Sequence, residues 1–231
     1  NRAAAKRMHA PFVVVDDNTP VPLALFPKQE FAARTIRPKV HKILGDYLKP
    51  FREPAPRIGP PATLTLPFDV VDFSKADVPS LVAACAIDHA VPPVAEFPGG
   101  APAAEKRLGA FLKEKLRGYA DDRNEPSRDA TSHLSPYLHF GHISIEEVVK
   151  AVFAATGGWA PGRLHLEAVG KREGFFGTDR NANSFLDEAL TWRDVGYVWH
   201  VHRREDTGSL KTALPPWAST IPSTTGRPRP V

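Results

Sequence analysis

Cysteine is almost missing from this chain: its 231 residues hold one, Cys85, in SLVAACAIDHA. A lone thiol excludes an intrachain disulfide and a cysteine-rich zinc site, and it points to a reducing, cytoplasmic compartment. Long apolar runs are lacking too, with nothing near the roughly 18 consecutive apolar residues of a membrane-spanning helix. The opening NRAAAKRMHAPFVVVDD has no apolar stretch followed by a cleavage site, so no secretory signal is expected. It has no initiator Met either, and the chain is therefore expected to start inside a longer protein. Charge of one sign is in short supply: 30 Lys and Arg against 26 Asp and Glu leave +4. That mild excess permits an anionic partner such as nucleic acid without demanding one. There is no internal repeat.

What is present, 42% hydrophobic and 24% charged residues, is the composition of a globular protein with one domain, or one domain and a piece of another. PFVVVDDN is a β-branched run closed by polar residues and predicts one buried strand. KQEFAARTIRPKVHKILGDYL is helical in composition, and Pro38, lacking a backbone donor, is expected to kink or split it. A single strand–helix unit cannot cover both faces of a sheet, so residues 1–50 read as the tail of an α/β domain. Residues 51–102, with KPFREPAPRIGPP and HAVPPVAEFPGGAP, read as a proline-rich linker draped over a neighbouring domain, with a short helix near Pro79. Beyond it three helical patterns follow. Ala104, Leu108, Phe111, Leu112 and Tyr119 form one stripe, with Lys106, Lys113, Lys115 and Arg117 largely off it. Ser144 and Glu147 form a capping box ahead of Ile145, Val148, Val149, Val152 and Phe153, and Gly157-Gly158 closes that helix. NSFLDEALTWRDVGYVWHVH opens with Asn183 or Ser184 as cap.

Three constellations carry chemical interest. In ATSHLSPYLHFGHIS, Ser135 before Pro136 fits a helix cap and Gly141 fits the stop. Two ordinary caps explain the stretch, but free N–H groups and hydroxyls at a helix start also hold phosphate oxygens. His139 and His142, with Glu146 and Glu147 and later His200 and His202, raise a metal site. Gly141 and Ser144 break the spacing, and there is no H-E-x-x-H, so no metal is expected. Glu188, Trp192 and Trp199 share one helical face. A carboxylate between indoles suits a flat heterocycle, and a core tryptophan stripe with a solvated Glu is the other reading. Arg193 and Asp194 are sequence neighbours and are not paired.

GYADDRNEPSRDATSHLSPYLHFGHIS followed by SFLDEALTWRDVGY resembles the DNA photolyase/cryptochrome family. The Glu188–Trp192 spacing and KQEFAARTIRPKVHKIL look most like its class II cyclobutane pyrimidine dimer photolyases. The likeness runs from about Val13 to Trp217 and is thin across the linker. It implies a mainly α fold: the first half of a photolyase-type FAD-binding helical domain at 103–217, preceded by the last strand–helix unit of a Rossmann-like α/β domain. The tail, 218–231, is irregular. It implies FAD held by Tyr119 and by Thr131, Ser132, His133, Leu134 and Ser135, with His133 at a position that varies across the family. Arg123 would touch DNA phosphate, Glu188 would hydrogen-bond a pyrimidine dimer and Trp192 would pack on it.

The implied activity is a lyase for DNA repair: reduced FAD, excited by light, splits cyclobutane dimers in UV-damaged DNA by electron transfer. The side chains position flavin and lesion, and the dimer is flipped out of the duplex, as the photolyases are known to do. No antenna chromophore is identified. A monomer without membrane attachment is expected. Family members continue well past Trp217, so the chain reads as truncated or frameshifted and is expected to bind FAD weakly or not at all. A cryptochrome-like light sensor without repair, an inactive helical remnant and, weakest, a metal-dependent hydrolase are the other classes.

Overall fold

The computed structural model describes residues 6–8, 11–13, 15–16, 18–48, 55, 59, 69–157 and 164–202. The tail expected at 218–231 and Trp217 lie outside them, as does much of the linker before residue 69. The chain divides into two compact units, Pro50–Pro98 and the pair of segments Asn1–Lys49 with Gly99–Val231.

In the larger unit the first helix, α1 (Ala33–Tyr47), buries Ile36, Val40 and Leu44, a four-residue repeat that puts them on one face. Burial of each such side chain stabilises by roughly 1.5–3 kcal/mol. Two expectations fail here. The strand expected over PFVVVDDN is not seen in its described residues: Val13 and Val15 are 80% and 77% exposed, and no strand occurs among the described residues. A strand exists only by pairing its backbone with a neighbour, and Asp16 and Asn18 are held by other contacts instead. The Asp16 carboxylate accepts the Leu23 N–H at 2.7 Å, and Asn18 accepts from Arg193 and Tyr197. Nor does Pro38 split α1, which runs through it. Pro38 is packed against the Gly170 turn, where an added Cβ would lie 3.2 Å from the proline ring. Gly170 also has φ +82°, so glycine is required there twice over.

The smaller unit is described from residue 69. It holds one short helix, α2 (Val78–Ala83), with Pro79 in its first turn as expected. Phe73, Ile87 and Val91 are exposed.

Back in the larger unit, α3 (Ala101–Ala110) continues through a wide π turn (Phe111–Lys115) and a 3-10 turn (Leu116–Gly118) into α4 (Tyr119–Asp122). Ala104, Leu108, Phe111 and Tyr119 are buried as the stripe predicts and Lys106, Lys113 and Arg117 are exposed, while Leu112 and Lys115 are both half-buried. After the Pro126–Arg128 turn comes α5 (Ser135–His139). Here Ser135 is the first helical residue and Leu134 occupies the cap, one position from expectation and within the latitude of helix ends. Gly141, φ +69°, ends it. α6 (Ile145–Ala155) has the predicted capping box, Ser144 and Glu147 exchanging hydrogen bonds, and Gly157 follows its end with φ +107°.

The last helical rod comprises α7 (Arg180–Leu186), a π segment (Asp187–Trp192) and α8 (Arg193–His202). It starts earlier than expected, because Asp179 is the cap and accepts the Ala182 N–H. Asn183, 1% exposed, lies inside the helix. Its amide accepts from Phe176 N–H and donates to the Gly177 and Asp179 carbonyls, clamping the preceding loop. This rod packs on α1, α4 and α6, around a core of Phe111, Phe153, Phe175, Leu186 and Leu190.

Candidate functional site

The segment from Asp129 to Ser135 is built around two unusual backbone angles. Asp129 (φ +43°) and His133 (φ +54°) are the non-glycine residues with positive φ among the described residues. Each such residue stores roughly 1–3 kcal/mol that its surroundings must offset. The offsets are visible. His133 pairs with Asp129, and Lys115 donates to the same carboxylate at 3.0 Å. Those contacts hold the exposed Asp129 carboxyl below its ordinary value, with the His133 bond the largest influence. Left-handed His133 followed by right-handed Leu134 (φ −84°, ψ −10°) is the backbone sequence of an anion-binding nest. The first turn of α5 adds N–H groups that no intrahelical carbonyl can reach. Leu134, 1% exposed, anchors the turn in the core, so its N–H and not its side chain is the ligand candidate. Thr131 and Ser135 are exposed; Ser132 is half-buried and its hydroxyl accepts the Leu134 N–H at 3.4 Å.

The second arm meets the same helix further on. Tyr119 is wedged edge-on between Phe111 and Phe185, centroids 5.6 and 5.3 Å away. Burial pushes its phenol up, while the Arg123 guanidinium draws it down. Arg123 lies 5.7 Å from the centre of the Tyr119 ring and donates to the Glu188 carboxylate, 65 residues along the chain. Burial alone would lower the guanidinium, but the bond to Glu188 and its charge outweigh it and the group is raised. The alignment rests on Asn181, whose side chain accepts the Ala120 N–H at 2.9 Å and donates to the Arg117 carbonyl at 2.6 Å.

Tyr119, Arg123 and Glu188 are thus brought into direct contact. The Thr131–Ser135 turn is tied through Asp129 to Lys115, four residues before Tyr119, on the same rod. Trp192 is 49% exposed and Trp199 half-buried, so neither is a core tryptophan and the stripe reading fails for this face. The π segment widens the helix at Asp187–Trp192, where Glu188 and Trp192 sit; such turns are frequent at functional sites.

Two supports escape sequence reading. Arg37 makes a bidentate pair with Asp187 at 2.7 and 2.9 Å, pinning the start of the π segment to α1. Asp187 stands beside Glu188 in sequence, but nothing marks Arg37 as its partner. Asp194 is fully buried with neither carboxyl oxygen bonded. The histidines are otherwise engaged: His142 accepts the Gly100 N–H, His139 packs on Phe140, and His202 bonds the Phe26 carbonyl. No metal-holding group of three or more His, Cys, Asp or Glu occurs among the described residues.

Comparison with known proteins bears on this arrangement. Over 143 residues the chain is 35% identical to the deoxyribodipyrimidine photo-lyase of Potorous tridactylus, covering 62% of this chain and 25% of that protein. Over that stretch the chain is similar to members of the photolyase/cryptochrome family. With the deoxyribodipyrimidine photo-lyase of Arabidopsis thaliana it shares 37% identity over 139 residues, 57% of this chain and 27% of that one. With the deoxyribodipyrimidine photo-lyase of Methanothermobacter thermautotrophicus it shares 29% over 219 residues, 93% of this chain and 40% of the relative. Cryptochrome-2 of Arabidopsis thaliana matches at 34% over 79 residues. No family model matches the chain. The chain therefore spans about a quarter to two fifths of these three photolyases. Among the described residues no helix is long and apolar enough to cross a membrane.

Proposed function

We propose that this chain carries the FAD-gripping turn and one wall of the lesion pocket of a class II cyclobutane pyrimidine dimer photolyase. The observation that carries the reading is the contact of Arg123 with both Tyr119 and Glu188. It joins residues for a cofactor, a DNA backbone and a damaged base that are spread over 70 positions of sequence.

The residues fit the cofactor. The nest at His133–Leu134, the hydroxyls of Thr131, Ser132 and Ser135, and the phenol of Tyr119 supply neutral donors suited to a diphosphate. FAD, when bound in its reduced form, would supply the light-driven electron that opens a cyclobutane dimer. The chain's own residues bind and orient. Glu188, whose side chain is 35% exposed, accepts from the N–H edge of a flipped pyrimidine. Trp192 offers an exposed indole for stacking, worth roughly 1–3 kcal/mol per base. Arg123, released from Glu188 by the incoming base, turns to a backbone phosphate. The match to a cryptochrome supports a light-sensing flavoprotein as the second reading, and the Glu188–Trp192 pair favours repair over it.

The test is fluorescence anisotropy with a labelled single-stranded oligothymidine carrying one cyclobutane dimer, against the undamaged strand. The dimer strand should bind more tightly, and Glu188→Ala and Trp192→Ala should each reduce that preference about tenfold, as loss of roughly 1.4 kcal/mol implies. Equal binding of both strands by the unaltered chain would refute repair-type recognition.

A further inference from the structure

A cavity of about 230 Å³ opens beside the Arg123–Glu188 pair, and nothing in the reading above uses it. Arg123, Asn124, Arg172, Glu173, Arg180 and Ser184 line it. It joins three stretches of chain: the end of α4, the loop before α7, and the first turns of α7 itself. Three guanidinium groups face one carboxylate there, so the lining is cationic.

The state of each group matters more than the count. Arg172 is exposed and makes no ion pair with the described residues. Arg123 has a side chain only 10% exposed, and its Nε is buried with no hydrogen-bond partner. A buried donor left unpaired costs about 1–3 kcal/mol, which an oxyanion in the cavity would recover. Arg180 donates to Asp121 at 2.7 Å, but both side chains are more than half exposed, and such pairs exchange partners at little cost. The Ser184 hydroxyl and the Asn124 amide add neutral donors. Glu173, whose charge is felt by Arg180, repels a fully ionised monoester more than a singly charged diester.

Size narrows the ligand further. The cavity is below the roughly 300–1,000 Å³ of sites that enclose drug-sized molecules, so it suits one phosphate group and not a whole nucleotide. Guanidinium groups bind phosphate through paired N–H donors. They do not ligate metals.

We propose that this cavity seats a single backbone phosphodiester of the DNA strand, with Arg172 and Arg180 as its ligands beside Arg123. The proposal rests on the lesion-binding reading for its DNA strand and extends that reading to two residues outside the resembling motifs.

The experiment is anisotropy of the whole chain with labelled dimer-containing and undamaged oligothymidine between 50 and 200 mM salt. The variants are Arg172→Gln and Arg180→Gln, with Lys106→Gln as a control of equal charge on exposed α3. Each phosphate contact contributes about 0.7 to the slope of log affinity against log salt for single strands. Arg172→Gln should lower the slope by about 0.7 and weaken both strands alike, and Lys106→Gln should leave it unchanged. An Arg172→Gln slope equal to that of Lys106→Gln, with dimer preference intact, overturns the cavity assignment alone. A reduced slope without dimer preference supports the cavity and refutes the lesion reading. Absence of binding to either strand overturns both.

Discussion

Asp194 and His41 are buried titratable residues whose effects run in opposite directions. His41 is 2% exposed, stacked on Phe175 at 3.6 Å, and its Nδ1 accepts the Gly170 N–H. Burial pushes it from 6.5 down to about 4, with Asp187 drawing it up and Arg37 pressing it down. Between pH 6.5 and 4 the unfolded chain takes up a proton that the folded chain refuses, so stability is lost as pH falls through that window. Asp194 behaves conversely. Burial raises its carboxyl well above the ordinary 3.8, against the opposing pull of Arg193. Above 3.8 the unfolded chain releases a proton that the folded chain keeps, so this residue lowers stability as pH rises towards its folded value. Between pH 4 and 6.5 the two contributions therefore oppose one another, and above 6.5 that of Asp194 acts alone. Asp194→Asn should raise the midpoint at pH 8 and leave it little changed at pH 4, measured by circular dichroism. Curves that stay parallel across that range would show that Asp194 is not the titrating group.

At the scale of elements, the π segment is the feature that most needs explaining. Its geometry depends on Arg37 and Asp187, whose side chains are 10% and 2% exposed. Removing one partner of a buried pair strands the other charge and typically costs 3–5 kcal/mol. Arg37→Met should destabilise the fold by about 4 kcal/mol, and Arg37→Met with Asp187→Leu should recover most of that loss. Urea unfolding measures both, and a double variant no better than the single one would show that the pair acts through something other than its charges.

Local chemistry made several elements readable. The Ser144–Glu147 box, the Ala104–Tyr119 stripe and the Gly141 stop each depend on neighbours within a few residues. What failed depends on distant ones. The strand expected over PFVVVDDN lacks a pairing neighbour among the described residues, α1 runs through Pro38, which lies against the Gly170 turn, and Asn183 clamps a loop instead of capping a helix.

At the scale of the whole chain, motif order is what named the candidate site. Tyr119, Arg123 and Glu188 were named from resemblance, and the fold brings them into contact. The Arg172–Arg180 cavity lies outside the motifs, and the Arg37 support had no signal because charge complementarity over 150 positions leaves no local pattern. The larger claim is that the 131–135 turn and the Glu188–Trp192 wall, both tied to the rod from Ala101 to Asp122, serve one hollow. Ligands sharing a hollow must be coupled, and by linkage each changes the other's affinity by the same factor.

The most direct measurement is titration of FAD, by flavin fluorescence, into the chain with saturating dimer oligothymidine, with the undamaged strand, and with neither. Coupling of 1–3 kcal/mol corresponds to roughly 5–150-fold, and a dimer resting over the flavin should tighten FAD by at least about fivefold while the undamaged strand has little effect. FAD affinity that is identical in all three titrations would contradict a shared hollow.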